Sequence, residues 1–164
     1  MDQKELRELE AQCIQEHAPP CTAACPIHVD VRGMLGALAD DDLDAALEIL
    51  TKRLPFPAII GRVCEQPCRA VCNRKDVGDA LEIAALERAC ADDGTLSRRK
   101  RRIPRRGKRV AVVGGGLSGL TVAHDLARKG HKITLFEATD RLGGALWEVS
   151  EAVLSRDLLS DELS

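Results

Sequence analysis

Apolar residues recur at helical spacing through the N-terminal part of the chain. The pattern predicts amphipathic helices over 2–17, Val31–Ala39 and Asp42–Leu54, the last of them ended by two prolines. A fourth helix is predicted to begin at Asp79, because Glu82 lies at capping-box spacing from it. The apolar positions expected inside these helices are Leu6, Leu9, Cys13, Ile14, Leu43, Ala46, Leu47, Leu50, Leu81, Ile83, Leu86 and Cys90.

The pattern changes after residue 108 to short apolar runs around a glycine-rich turn. Arg109–Val113 and Lys132–Phe136 are predicted to be strands, and Leu117–Lys129 is predicted to be the helix between them. A strand, a crossover helix and a second strand make a βαβ unit, in which the strands are parallel. A further helix is predicted over Trp147–Leu159.

Seven cysteines interrupt the helical part of the chain. Cys64, Cys68 and Cys72 are each four residues apart, and Cys21 and Cys25 share that spacing and end in a Cys-Pro pair. Thiolates at such short gaps, closed by Cys-Pro, are typical of loops that wrap iron–sulfur clusters. The two groups lie about 40 residues apart, which suggests that each cluster takes ligands from both groups. The predicted fold class is therefore a mainly α-helical iron–sulfur domain followed by a truncated α/β half-domain with a Rossmann-like βαβ unit.

Composition narrows the class of protein. The chain has 164 residues, of which 45% are hydrophobic, but it contains only two Phe, one Trp and no Tyr. So few large rings bury little area, and we expect bound cofactors or a partner subunit to add stability. No apolar run approaches the ~20 residues of a membrane span, and the first residues do not resemble a signal peptide. We expect a cytoplasmic protein without a membrane partner, whose reduced thiols serve metal or redox chemistry.

The stretch 97–109 is strongly basic, with nine Lys or Arg among its thirteen residues. It is interpreted either as a solvated linker or as a docking strip for an acidic partner or cofactor phosphates. Nucleic-acid binding is not expected, because no aromatic residues are interleaved and the net charge of the chain is −2. The expected organisation is a helical domain over 1–96, this linker, and a partial dinucleotide-binding βαβ with a C-terminal helix over 110–164.

Three glycines follow the first predicted strand in the spacing of a dinucleotide-binding fingerprint. Gly114 permits the tight turn, Gly116 lets a pyrophosphate approach the helix N-terminus, and Gly119 allows close packing of helix on strand. An acidic residue at the end of the second strand is placed to accept ribose hydroxyls. The predicted site consists of Gly114, Gly116, Leu117, Ser118, Gly119 and Glu137. A glycine-rich turn without a ligand remains the alternative.

The sequence from Glu137 continues Ala-Thr-Asp-Arg-Leu-Gly-Gly. Together with the cysteine groups, it resembles the family of the bacterial glutamate synthase small subunit, the N-terminal part of dihydropyrimidine dehydrogenase and the large subunit of the bifurcating ferredoxin–NADP oxidoreductase. The resemblance covers roughly residues 10–145. It implies a helical domain with two [4Fe-4S] clusters ahead of FAD- and NAD(P)-binding halves, and it adds Arg141, Gly143 and Gly144 to the FAD residues.

The same resemblance implies a set of cluster ligands. One [4Fe-4S] cluster would be held by Cys25, Cys64, Cys68 and Glu87. The other would be held by Cys13, Cys21 and Cys72, with Glu16 or His17 as the fourth ligand. Glu16 stands where the family has a cysteine, so the second cluster is expected to carry one unusual ligand, to be a [3Fe-4S] cluster, or to be lost. Cys90 is interpreted as a buried helix cysteine or as an alternative ligand.

These features predict an electron-transfer subunit of a cytoplasmic oxidoreductase complex, relaying single electrons through one or two [4Fe-4S] clusters. No general acid, base or nucleophile is identified, so substrate chemistry on this chain alone is not expected. The family continues for several hundred residues beyond Gly144, so FAD binding would need a partner to complete the site. The expected partners are a flavin- or NAD(P)-binding subunit and a ferredoxin-like or catalytic subunit. The alternatives are a zinc-stabilised or vestigial scaffold for subunit assembly and a free-standing dinucleotide-binding protein.

Overall fold

The computed structural model of the chain describes residues 3–4, 19–95 and 107–163. Within them the chain forms two compact units, one made of 19–54 with 64–95 and the other of 55–63 with 107–163. Nearly all of the helix predicted over 2–17 and most of the basic linker lie outside the described residues.

Helices dominate the described residues, which also contain one two-stranded sheet. In chain order these elements are α1 (Pro20–Ala24), α2 (Val31–Ala39), α3 (Leu43–Leu50), α4 (Pro57–Val63), α5 (Pro67–Ala70), α6 (Ile83–Asp93), β1 (Arg109–Val113), α7 (Leu117–Arg128), β2 (Lys132–Phe136) and α8 (Arg156–Glu162), with 3₁₀ turns at Asn73–Asp76 and Gly144–Glu148. In the part of the chain so described, no helix is both long and apolar enough to cross a bilayer.

The first unit is built on a hairpin of α2 and α3. Aspartates begin both helices: Asp30 accepts a hydrogen bond from the Gly33 amide at 2.9 Å, and Asp42 accepts one from the Ala45 amide at 2.8 Å. The core of this unit includes Val29, Val31, Met34, Ala46, Leu47, Leu50, Leu54, Ile83, Ala84 and Cys90. Most of the apolar positions predicted for these described helices are therefore buried, as the helical period requires.

Two helix boundaries differ from the prediction. The helix expected to reach Leu54 ends at Leu50, and the Thr51 hydroxyl donates to the Leu47 carbonyl in the turn that follows. The helix expected to begin at Asp79 begins at Ile83. The capping box is not formed: Glu82 is itself the N-cap residue of α6, and its carboxylate pairs with Arg69 at 2.7 Å.

Three short helices begin with proline and were not predicted: α1, α4 and α5. A proline fixes φ near the helical value and lacks the N–H that would be unpaired in the first turn. The same prolines can also end a preceding helix or lie in a loop, and the sequence pattern alone does not separate these roles. The predicted cysteine loops consequently contain helical turns.

The second unit contains the predicted βαβ. Strands β1 and β2 pair in parallel, with Arg109 opposite Lys132 and Val113 opposite Phe136, and α7 packs on the sheet. A separate apolar cluster in the same unit joins α4 to the C-terminal segment; its buried members are Ile59, Leu146, Leu154 and Leu159. The predicted fold class is confirmed.

The prediction of a helix over Trp147–Leu159 is wrong. That stretch holds the end of the second 3₁₀ turn, an irregular segment and the start of α8, whose N-cap is Ser155. The Trp147 indole N–H donates to the Leu142 carbonyl at 2.7 Å, and Val149 is extended. These constraints break the helix, although Leu154 and Leu159 are both buried.

Candidate iron–sulfur and dinucleotide sites

The first cysteine pair lies in and directly after α1. Cys21 lies in its first turn, and Cys25 follows its last residue in an extended conformation. The loop after Cys25 is closed by the Thr22 hydroxyl, which donates to the Val29 carbonyl at 3.0 Å. His28 has a positive φ of 52°, and its Nδ1 lies 3.1 Å from the Thr22 carbonyl oxygen. Local hydrogen bonds therefore fix both half-buried thiols relative to α2.

Backbone amides contact two thiols of the second group. Gln66 adopts a left-handed conformation, and its amide donates to Cys64 Sγ at 3.3 Å. The Leu81 amide donates to Cys72 Sγ at 3.5 Å. Cys68 is buried in α5, between these two cysteines in the sequence. Because an N–H···S bond stabilises a thiolate, this arrangement suits ligand thiols.

The structure brings Cys25, Cys64, Cys68 and Glu87 close enough to interact electrostatically. Burial, followed by the neighbouring Glu87, Cys64 and Cys25, raises the pKa of Cys68 to about 11. Glu87 is only 8% exposed, and burial raises its pKa to about 7 although Arg88 acts to lower it. Glu87, Cys64 and Cys25 therefore all lie near the buried Cys68 thiol, and each disfavours a negative charge on it.

That donor set fits a [4Fe-4S] cluster. Cluster ligands are anionic donors, most often thiolates, and the positive iron would favour the charged forms of Cys68 and Glu87 that burial disfavours here. Among the described residues, no three His, Cys, Asp or Glu side chains are arranged to hold a single metal ion. A cubane is wider than one ion, so its ligands stand farther apart than those of one ion.

The second ligand set is only partly described. Burial is the main cause that raises the pKa of Cys21, and the nearby Cys72 raises it further, so these two thiols lie close together. Cys13, Glu16 and His17 lie outside the described residues. Cys90 is fully buried in α6, and its pKa is raised by burial first and by Glu87 second.

The glycine turn after β1 has the geometry of a phosphate-binding turn. Gly114 has a φ of 100°, and a Cβ on Gly119 would overlap the Gly114 carbonyl oxygen. A Cβ on Gly116 would instead meet nothing within 4 Å. Gly116 is the N-cap of α7, which begins with Leu117 and Ser118. No side chain of the described residues caps this helix. The first-turn amides of α7 are thus available to an anion.

Glu137 is held at the end of β2 by backbone donors from two sides. Its Oε2 accepts from the Gly115 amide at 2.5 Å, and its Oε1 accepts from the Thr139 amide at 2.9 Å. The bond from Thr139, followed by that from Gly115, holds the pKa of Glu137 below its ordinary value. The Thr139 hydroxyl donates a third hydrogen bond, to Oε1 at 3.0 Å. A carboxylate has about four acceptor positions, so about one further hydrogen bond, from a ribose hydroxyl, remains available.

The double glycine after Arg141 lies against the same turn. The Gly143 amide donates to the Gly115 carbonyl at 2.8 Å, and a Cβ on Gly144 would come within 3.1 Å of Gly116 Cα. Both glycines have positive φ, 112° and 52°. The structure therefore brings the glycine fingerprint, Glu137 and the double glycine together.

Two residues of this site were missed from the sequence. Thr139 binds the Glu137 carboxylate through both its amide and its hydroxyl. Trp147 anchors the turn through its indole N–H, and the Arg141 guanidinium lies 4.4 Å from the centre of its ring. The position of Trp147, four residues after Gly143, was the sequence signal that could have identified this residue as part of the site.

Comparisons with known protein families divide the chain into a cysteine-bearing part and a Rossmann-like part, as the structure does. The family model described as dihydropyrimidine dehydrogenase domain II, 4Fe-4S cluster, matches residues 1–98, and that of NAD(P)-binding Rossmann-like domains matches residues 112–151. These matches support [4Fe-4S] binding and do not favour the zinc alternative.

Several curated proteins are similar over most of this chain. The beta subunit of NADPH-Fe(3+) oxidoreductase from Geobacter sulfurreducens is 34% identical over 128 residues, covering 76% of this chain and 19% of that protein. The beta subunit of NADP(+)-dependent formate dehydrogenase from Moorella thermoacetica is 31% identical over 169 residues, covering 88% and 24%. The small chain of glutamate synthase [NADPH] from Bacillus subtilis is 35% identical over 148 residues, covering 83% and 30%.

The chain thus spans less than a third of the length of each of these relatives. Their names describe the beta subunit of an oxidoreductase, the beta subunit of a dehydrogenase and the small chain of a synthase. The resemblance inferred from the cysteine and glycine motifs is confirmed: the chain belongs to the dihydropyrimidine dehydrogenase domain II, 4Fe-4S cluster, family, and a Rossmann-like segment follows that domain.

Proposed function

We propose that the chain is an electron-transfer part of an NAD(P)-linked oxidoreductase complex. The observation that carries the proposal is a group of four donors, of which Cys68 and Glu87 are buried and Cys25 and Cys64 are half-buried. Glu87, Cys64 and Cys25 all lie near enough to Cys68 to raise the pKa of its thiol. A [4Fe-4S] cluster bound there would accept and release a single electron. The protein would set its potential through burial and through the amide bonded to Cys64 Sγ.

A second cluster on Cys13, Cys21 and Cys72, with Glu16 or His17 completing it, is part of the proposal. Its support is the proximity of Cys21 and Cys72 and the amide donated to Cys72 Sγ. We also propose FAD at the glycine turn. The uncapped first turn of α7 would hold its pyrophosphate, and Glu137 would accept from its ribose.

The proposed partners include a flavin- or NAD(P)-binding polypeptide and a ferredoxin-like or catalytic subunit. The support is the sheet face opposite α7, where Val113 is 85% exposed and Phe136 is 54% exposed. These residues are paired across the sheet, at the end next to the glycine turn. Parallel sheets are normally covered on both faces, so a partner that covers this pair would also complete the dinucleotide site.

Two buried thiols offer a matched test of the cluster. Cys68→Ala should remove a ligand, whereas Cys90→Ala should remove only a buried packing group. After anaerobic reconstitution, iron and sulfide should fall by about four atoms each in Cys68→Ala. They should stay at the wild-type value in Cys90→Ala. Low-temperature EPR after dithionite reduction would identify the remaining centre.

The outcomes separate the competing assignments. A loss in Cys90→Ala equal to that in Cys68→Ala would make Cys90 a ligand and contradict Glu87 as the fourth donor. Bound zinc without sulfide in the wild-type protein would overturn electron transfer and leave a scaffold. Thermal unfolding of each ligand-free variant is the control that both substitutions preserve the fold.

A further inference from the structure

A pocket lies at the end of the βαβ unit opposite the glycine turn. It is lined by Gly107, Lys108, Arg109, Gly130, His131 and Lys132, and its volume is about 520 Å³. These residues precede or begin β1 and β2, whereas Gly114 and Glu137 follow their ends. Each strand has five residues, so at ~3.3 Å per residue the two ends of the sheet are about 13 Å apart.

The lining brings positive charges together. The register places Arg109 directly opposite Lys132, and the Lys132 amide donates to the Lys108 carbonyl at 2.9 Å. Like charges directly opposite one another on a sheet are destabilising. None of the three cations has an ion-pair partner among residues 19–95 and 107–163. Within those residues, their repulsion is therefore not offset by a carboxylate.

A buried imidazole nitrogen adds a further unpaired group. Nδ1 of His131 is inaccessible to solvent and has no hydrogen-bond partner in the described part of the chain. Such a group costs free energy unless something pairs with it. Gly107 and Gly130, both with positive φ, contribute no side chain that would fill the pocket.

We propose that this pocket binds the phosphate groups of a small polyanion. Arginine offers a planar pair of donors to phosphate oxygens, and lysine offers a point charge. A pocket of about 520 Å³ falls within the ~300–1,000 Å³ of small-molecule sites. A concave site of this size suits a compact phosphate chain better than the broad surface of an acidic protein. The assignment is independent of the proposed electron transfer and of FAD at the glycine turn.

The test is isothermal titration calorimetry of the full chain with inorganic tripolyphosphate, at low and at moderate salt. The double variant Lys108→Gln with Lys132→Gln should weaken binding at least tenfold. The matched control, Lys52→Gln with Arg53→Gln, removes two exposed cations from the other unit and should change binding less than twofold. Gly116→Ala, which obstructs the glycine turn, should leave tripolyphosphate binding unchanged.

Each alternative result would overturn the proposal. Equal weakening in both double variants would indicate nonspecific charge attraction. Loss of binding in Gly116→Ala would place the phosphate at the glycine turn. Binding of hexaglutamate but not of tripolyphosphate would assign the surface to an acidic polypeptide. If neither probe gave a binding isotherm, the pocket would not be an anion site. The substituted side chains are exposed, and unfolding curves would check that every variant folds.

Discussion

At the residue scale, two glycines of one turn should respond differently to the same added methyl group. The Cβ that Gly116→Ala adds meets no atom of the described residues within 4 Å, so the fold should be retained. The methyl group would stand where a pyrophosphate approaches, and FAD affinity should fall at least tenfold. Gly119→Ala forces a Cβ into the Gly114 carbonyl, and a clash of this kind should cost about 1–3 kcal/mol of stability.

Thermal unfolding and flavin fluorescence titration of the two variants separate these effects. Gly36→Ala is the control, because its Cβ would also meet nothing within 4 Å but lies in α2, away from the turn. Weakened flavin binding in Gly36→Ala would show that the assay responds to a methyl group added away from the turn. Undiminished flavin binding in Gly116→Ala would contradict FAD at this turn.

The glycines of the proposed dinucleotide site were predictable because their geometry is local. A left-handed φ at Gly114 and close packing at Gly119 leave glycine as the suitable residue at both positions, and spacing alone reveals them. The tertiary role of Glu82 was not predictable in this way. Its sequence spacing fits a capping box, but Arg69 competes for its carboxylate and is brought near only by the fold.

At the element scale, α4 is held by a carboxylate far away in the sequence. The Ala58 and Ile59 amides donate to Glu162 Oε1 and Oε2 at 3.0 and 2.6 Å. Glu162→Gln keeps the size of the side chain but removes its charge and one acceptor, so the second unit should lose about 1–2 kcal/mol of stability. Urea unfolding measures the loss, and hydrogen exchange at these two amides should become faster.

The matched control for this cap is Glu151→Gln, in an exposed turn of the same unit. It removes the same charge and should change stability by less than ~0.5 kcal/mol. Equal losses in the two variants would attribute the effect to net charge. Unchanged exchange at Ala58 and Ile59 in Glu162→Gln would contradict the capping role.

The longer helices and the two apolar strands were predicted well, and the short helices were not. α2, α7 and both strands lie where the apolar period places them. The five-, seven- and four-residue helices α1, α4 and α5 are too short to show a period. α4 is secured by Glu162 and by the cluster around Ile59, contacts that sequence neighbours do not reveal.

At the scale of the whole molecule, the path of the chain links the two units. The chain leaves the first unit after Leu54 and returns to it at Cys64. Helix α4 therefore belongs to the second unit, whereas Cys64, the residue directly after it, is a proposed cluster ligand in the first. A change that loosens α4 should therefore release the N-terminal end of the cysteine loop. This connection is covalent and holds whatever the arrangement of the two units.

Ile59→Ala tests this link. Ile59 is fully buried in the cluster that holds α4, and its truncation should cost about 2–5 kcal/mol. Leu120→Ala is the matched control, because Leu120 is also buried in the second unit but lies on α7. After reconstitution, iron release to a chelator should become several times faster in Ile59→Ala and stay near wild type in Leu120→Ala. Equally faster iron release in both variants would attribute iron loss to unfolding of the second unit as a whole. Unchanged iron release in Ile59→Ala would mean that the cysteine loop keeps its conformation without support from α4.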